Sequence, residues 1–317
     1  MSTQKDEPAR PAVLNSAMPN LALPKKLSPE LTALRDRLRL DAQGHRPGLA
    51  QRLDECRSRW NGHFECRSPA CRGCCGRYIT REQRVAQAWF GDYHHSNLAF
   101  LTVVLEAASS TAAIADIITR SRTATRNRLK ACRRQSAKWN DVHILGWHEF
   151  DAVAPEHIPL LPGNRRPLVE KLAPWSISSG GPAWIGTYHS IVHLNGLSVS
   201  DVDYEFRRQW PVDGQVKVEQ FYKEPVAGSI DRIVSYANKF TCLTSLSDFQ
   251  VKPWPVAWKA DFFQSIQDIQ RNPFEALRFS VGPNQGAVNA VISNNTSQSI
   301  QPMPWSFTRL PTYIYTG

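Results

Sequence analysis

The stretch WIGTYHSIVHLNGL, residues 184–197, is dense in branched and aromatic residues and stops at Asn195-Gly196, a dipeptide suited to a tight turn, so it predicts a β-strand. Alternation puts His189, Ile191 and His193 on one face of that strand. The two imidazoles stand four residues apart, about 13 Å along the chain. That is too far to share one ion unless the strand bulges or His189 curls inward. Glu149, on a preceding stretch that alternates in the same way (VHILGWHEFDAV, residues 142–153), is a carboxylate that completes a mixed nitrogen and oxygen site for a hard divalent ion. In that stretch Val142, Ile144 and His148 share one face, and His143, Leu145, Trp147 and Glu149 the other.

Two further stretches predict strands: LAFLTVVL (98–105), a short apolar run bounded by polar segments, and QVKVEQF (215–221), which alternates. Between them lies a helix over Thr111–Trp139, with Ile114, Ile117, Ile118 and Leu129 at helical spacing, which crosses over the sheet. Ser200 and Asp203 match a helix start signal for a helix to about Trp210, and Ser229 caps another through about Phe240. Residues 155–182 form a Pro- and Gly-rich connection, and 256–280 a helical segment broken at Pro273. Leu31–Leu40 predicts a short basic amphipathic helix.

The longest apolar run is that of residues 98–105, far short of the roughly 18 residues a membrane helix needs, and no signal-peptide core follows Met1. A cytoplasmic chain is expected. Composition excludes global disorder, since 42% of residues are apolar. The 38 Lys and Arg against 28 Asp and Glu leave a net charge of +10, which implies an anionic partner, nucleic acid before membrane surface. Eight of those cations, Arg120, Arg122, Arg126, Arg128, Lys130, Arg133, Arg134 and Lys138, follow one another without a carboxylate. Ten tryptophans offer stacking surfaces for bases, although most belong to the core.

Cys66, Cys71 and Cys74 make a C-x4-C-x2-C run, with Cys56 ten residues upstream as a fourth ligand and His63 or Cys75 as substitutes. Tetrahedral zinc suits such a set, against the alternatives of reduced, unligated thiols or one redox pair. Cys132 and Cys242 read as structural thiols. Tyr236 and Lys239 form a Y-x-x-K motif on the helix after Ser229, where residues three apart are neighbours. A phenol attacks phosphorus when its proton is removed and a nearby cation and metal stabilise the developing charge.

Taken in order, Cys56 with the C-x4-C-x2-C run, the Phe100-Leu-Thr-Val opening, Gly146-Trp-His-Glu149, the His-bearing strand and Tyr236-x-x-Lys239 resemble the plasmid rolling-circle replication initiators of the HUH endonuclease superfamily, over about residues 56–240. The resemblance implies an α+β fold, an antiparallel sheet flanked by helices, with an N-terminal zinc-binding module. Composition adds a flexible leader (1–28), rich in Pro and Ala, and a polar tail (283–317), so the expected organisation is leader, basic zinc-binding module (29–90), nicking domain with C-terminal helices (91–282) and tail. The resemblance implies that Tyr236 is a nucleophile that cuts one DNA strand, keeps the 5′ phosphate and leaves a 3′ hydroxyl to prime rolling-circle replication. Lys239 is then the cation beside the scissile phosphate. His189, His193 and Glu149 would hold Mg or Mn, while Cys56, Cys66, Cys71 and Cys74 would hold structural Zn. The eight-residue basic stripe would bind DNA, as an origin hairpin or a single strand, and a host helicase would be a further partner.

The family pattern is His, hydrophobic, His, whereas this chain has Ile191 at the first position and its other imidazole at His189. Either His189 with Glu149 rescues the site, or the chain is a non-catalytic zinc-dependent DNA-binding regulator. A relaxase or transposase of the same superfamily would share the chemistry.

Overall fold

A computed structural model describes residues 66–282 apart from 180, 222–224, 241, 247–250 and 271, and adds Leu49, Arg52, Leu53 and Cys56. The leader, the helix expected at Leu31–Leu40, His63 and the tail beyond Gly282 lie outside the described residues.

The fold is α+β, a five-stranded antiparallel sheet flanked by helices. The sheet is built from β1 (Leu98–Ala108), β2 (His143–Val153), β3 (Ala183–His193), β4 (Val216–Gln220) and β7 (Arg278–Val281), in the order β4-β1-β3-β2-β7. The strand carrying His189 is therefore central, with β1 on one side and β2 on the other. A separate hairpin pairs β5 (Leu243–Ser245) with β6 (Val251–Pro253). The helices are α1 (Arg72–Phe90), α2 (Ile114–Gln135), α3 (Arg165–Leu172), α4 (Pro174–Ser179), α5 (Val199–Arg207), α6 (Val226–Ala237), α7 (Val256–Ile269) and α8 (Pro273–Leu277).

Strand alternation sorts side chains between two layers. On the front, Leu98, Leu145, Trp147 and Ile191 pack with Val85, Ala86 and Phe90 of α1 and Ile230, Val234 and Ala237 of α6. On the back, Leu101, Val103, Ile144 and Val192 pack with Ile114, Ile117 and Leu129 of α2 and Phe262 and Ile266 of α7. Each fully buried Ile or Leu contributes about 2 kcal/mol. The 155–179 connection is not an irregular linker. It forms α3 and α4, and Leu168 and Val169 of α3, with Ala173 between the two helices, cover Val153, Ala183 and Ile185 at the far end of the front face. The front is thus covered at both ends, with His189 and Glu149 between.

Several boundaries differ from the sequence reading. The cap of α5 is Ser198 with Asp201 in a reciprocal capping box, two residues before the Ser200 expected, because Asn195 and Gly196 (φ 49° and 77°) complete the turn earlier. Helix α6 starts after Pro225, whose fixed φ suits a helix entry, and ends at Ala237, so Ser229 lies inside it and Lys239 beyond it. Residues 278–281 form the edge strand β7 against β2 and not the end of a helix.

Gly146 is required where it stands. A Cβ there would lie 2.5 Å from the His189 carbonyl oxygen and 2.6 Å from the Tyr188 ring, pushing β3 away from β2.

Candidate functional site

Trp147 and Thr102 flank His189 in register on β2 and β1, and Glu149 is the next residue of β2 on that face. The Glu149 carboxylate bridges two groups. Its Oε2 lies 3.0 Å from His189 Nε2, and its Oε1 accepts from Lys239 Nζ at 3.0 Å. A carboxylate only accepts, so Nε2 carries the proton and Nδ1 accepts from the Thr102 hydroxyl at 3.2 Å. Lys239 Nζ also sits 4.3 Å from the centre of the Tyr236 ring, a cation–π contact, and the Tyr236 ring meets His189 edge to face at 5.0 Å. Phe100 stacks on the other side of His189 at 5.8 Å. Tyr236, Lys239, His189 and Glu149, separated by up to 90 residues in sequence, therefore meet at one place. Lys239 reaches back to Tyr236 from outside α6, so helical spacing is not what joins them.

Electrostatics hold Glu149 and Lys239 charged. Burial pushes the Glu149 carboxyl up, but the ammonium of Lys239 and the hydrogen bond from His189 outweigh it and bring it to about 2. Burial pulls the Lys239 ammonium down, and the Glu149 carboxylate more than reverses this, leaving it well above its ordinary range. Asp151, two residues along β2, is clamped by Arg165 at 2.6 Å. Phe240 and Cys242, at φ 40° and 51°, are strained non-glycine residues beside Lys239, and both line a cleft with Glu149, Asp151 and Trp254.

His193 does not join this group. It lies four residues along the flat strand, about 13 Å from His189, where its Nδ1 meets the Asp141 carbonyl at 3.2 Å and its ring stacks between Tyr93 (3.9 Å) and His143 (5.3 Å). No bulge brings the two together, because β3 stays in unbroken register with β2 from Ala183 to His193. Ile191, where the family pattern has a histidine, is fully buried under α1 and α6. Unpaired imidazole there would lose its hydration without a partner.

Four cysteines form a second centre. Sγ atoms of Cys56, Cys66, Cys71 and Cys74 lie within 4.8 Å of one another, with separations of 3.8 Å (Cys56–Cys71), 3.7 Å (Cys56–Cys74) and 3.5 Å (Cys66–Cys74). A tetrahedral zinc with Zn–S bonds of about 2.3 Å needs edges of about 3.8 Å. The four thiols could hold a metal ion and suit structural zinc. The four thiols share their hydrogen bonds, which pull the Cys56 thiol down and push those of Cys66 and Cys74 up. Arg67 takes a left-handed backbone (φ 52°) in the loop between ligands, and Cys71 precedes α1. Cys75 is not a ligand; its thiol points to the Asn238 carbonyl at 3.8 Å. Cys132 and Cys242 are buried and unbridged.

The basic stripe divides. Arg122 donates to the carbonyls of Glu275, Ala276 and Arg278, Arg128 pairs with Glu205, and Arg133 donates to those of Trp139 and Val142, so these three arginines tie elements together. Arg120 pairs with Glu106 at 2.7 Å. Arg126, Lys130, Arg134 and Lys138 are exposed.

Sequence reasoning missed the buried carboxylate Glu82 on α1, which accepts from Trp147 Nε1 at 3.0 Å and pairs with Arg81 and Arg278, both at 3.3 Å. It pins α1 to β2 and β7, and nothing in its local sequence, Thr80-Arg-Glu-Gln-Arg84, distinguishes it from a solvated glutamate. His148, fully buried on the back, was likewise hidden. It lies between the Ser121 hydroxyl (2.7 Å) and the Leu277 carbonyl (2.9 Å), and burial pulls it down to about 3.

No protein-family model matches the chain, and comparisons with curated proteins and with solved structures returned no significant match. Among the described residues, no helix is long and apolar enough to cross a membrane.

Proposed function

We propose that the chain nicks one DNA strand through Tyr236 and so starts rolling-circle replication. The observation that carries this reading is the meeting of a phenol, an ammonium, an imidazole and a carboxylate on the front of the sheet. In the reaction the Tyr236 oxygen bonds to phosphorus and the bond from phosphorus to the 3′ oxygen breaks. The 5′ phosphate stays on the tyrosine, and the departing 3′ oxygen takes up a proton. Lys239 holds a positive charge beside the phenol as it becomes phenolate-like, which favours loss of the phenolic proton. Glu149 orients both Lys239 and His189, and Thr102 fixes the second nitrogen of His189.

A divalent ion fits this donor set in part. His189 Nε2 and Glu149 Oε2 lie 3.0 Å apart as a hydrogen-bonded pair, so they offer one imidazole and one carboxylate ligand only once the shared proton has left. His189 and Glu149 would hold Mg or Mn, with waters filling the remaining positions, and the ion would stabilise charge on the scissile phosphate. To bind it, His189 must move its proton from Nε2 to Nδ1, where the Thr102 hydroxyl can accept it. The absence of His193 from this set, and the hold of Lys239 on Glu149, favour weak metal binding and support the second reading, a DNA-binding regulator with a vestigial site.

The two readings separate in one experiment. Incubated with Mn and a randomised pool of single-stranded oligonucleotides, the chain forms a protein–DNA adduct that survives SDS, and Tyr236→Phe forms none. No adduct from the unaltered chain, or an adduct that persists in Tyr236→Phe, removes Tyr236 from the function.

A further inference from the structure

We propose that Arg126, Lys130, Arg134 and Lys138 form a ladder that binds the backbone of duplex DNA, on the opposite side of the sheet from Tyr236. The proposal rests on the reading of the partner as DNA and not on the tyrosine chemistry. Helix α2 belongs to the back layer with Leu101, Val103 and Val192, whereas α6 and Tyr236 belong to the front layer with Ile191 and Leu145. A strand held for cleavage and a duplex held by α2 would thus occupy different faces.

The geometry of α2 selects four of the eight cations. Ile117, Ile118, Ser121, Thr125, Leu129 and Cys132 face the sheet, and Arg122, Arg128 and Arg133 are spent on internal bonds. Arg126, Lys130 and Arg134 stand four residues apart on the outer side, a rise of about 6 Å per step, and Lys138 follows in the 3₁₀ turn after the helix. Phosphates of a duplex are regularly spaced, one strand advancing about 3.4 Å along the axis per phosphate, so a row of four evenly spaced cations faces several of them. Arg126 holds its guanidinium over the Phe279 ring at 5.1 Å, a cation–π contact that leaves its edge N–H groups available to a phosphate.

Nearby carboxylates are engaged elsewhere. Glu205 is held by Arg128 and Arg208, Glu106 by Arg120, and Asp201, whose field Lys138 influences, caps α5 through Ser198. Among the described residues, no carboxylate pairs with the four ladder cations. An acidic protein would also be attracted, but the even spacing favours a periodic polyanion.

The test uses the full chain carrying Tyr236→Phe and a 30-base-pair duplex of arbitrary sequence, with affinity read by fluorescence anisotropy from 50 to 200 mM salt. Replacing all four cations by Gln should weaken binding and make the slope of log affinity against log salt shallower by roughly 3.6, at about 0.9 per phosphate contact. Lys130→Glu/Arg134→Glu, which alters only two exposed residues, should reduce affinity further per site at an unchanged melting temperature. An unchanged slope in the four-fold variant, or no binding by the parent chain at 50 mM salt, overturns the proposal. In a chain that keeps Tyr236, the four substitutions should leave adduct formation on a short single strand intact. Loss of duplex binding alone thereby distinguishes this surface from the nicking site.

Discussion

Ile191 decides where polar chemistry can sit on the front of the sheet. At that position the strand passes beneath α1 and α6, and an apolar side chain is the only one that loses nothing there. His189, two residues earlier, emerges between the helix pair and the 155–179 connection, where Glu149 and Thr102 can satisfy both its nitrogens. That His189 and His193 share a face was legible from alternation, and so was the distance between them. That His189 would be the one to meet Tyr236 was not, because it depends on which end of α6 crosses β3. His148 supplies a prediction at this scale. Its native form is neutral and its folded pKa is depressed to about 3, so the unfolded chain takes up a proton below about pH 6.5 that the native state refuses. Stability is complete above that value and falls as pH drops toward 3. Between pH 7 and pH 5 urea unfolding should show a loss of about 2 kcal/mol from this residue, absent in His148→Asn. The stabilisation from Glu149, depressed from 4.5 to about 2, is present above pH 4.5 and is lost only as pH falls below that, so it leaves the window clear. Equal pH slopes in the two chains would contradict the assignment.

At the scale of elements, the cysteine centre and the tyrosine helix are joined through α1. The helix begins at the candidate ligands Cys71 and Cys74, and its next turns bond α6 and its cap: Cys75 to the Asn238 carbonyl, Gln83 to Ser235 at 3.1 Å, and Gln87 to Asp231 at 3.0 Å. Cys56, Cys66 and Cys74 share a buried cluster with Val234 and Ala237. Loss of the metal should therefore loosen α6 as well as the cysteine loop. With a zinc chelator, amide hydrogen exchange across 226–237 should accelerate at least tenfold and recover when zinc is restored, with one zinc bound per chain; unchanged exchange would separate the two elements. The C-x4-C-x2-C spacing made the ligands readable, since close thiols need only a turn. The contacts from α1 to α6 were unreadable, because glutamines 144 and 152 residues from their partners leave no periodic trace. The edge strand β7 escaped for a similar reason: four residues after a short helix carry too little alternation to outweigh the helical pattern before them.

For the whole molecule, the long alternating strands and α2 were legible because each buries a continuous face over more than ten residues. Their order in the sheet was not, since β3 inserts between β1 and β2 and only long-range pairing determines this. The same arrangement separates a front bearing the phenol from a back bearing an exposed cationic ladder. The central claim is that the phenolic oxygen of Tyr236 takes the 5′ phosphate of a cut strand. Protease digestion of the Mn-dependent adduct followed by mass spectrometry reads this directly. The peptide containing Tyr236 should carry a nucleotide attached by its 5′ phosphate, and the released strand should end in a free 3′ hydroxyl. A nucleotide on any other residue, or cleavage that leaves every peptide unmodified, would contradict it.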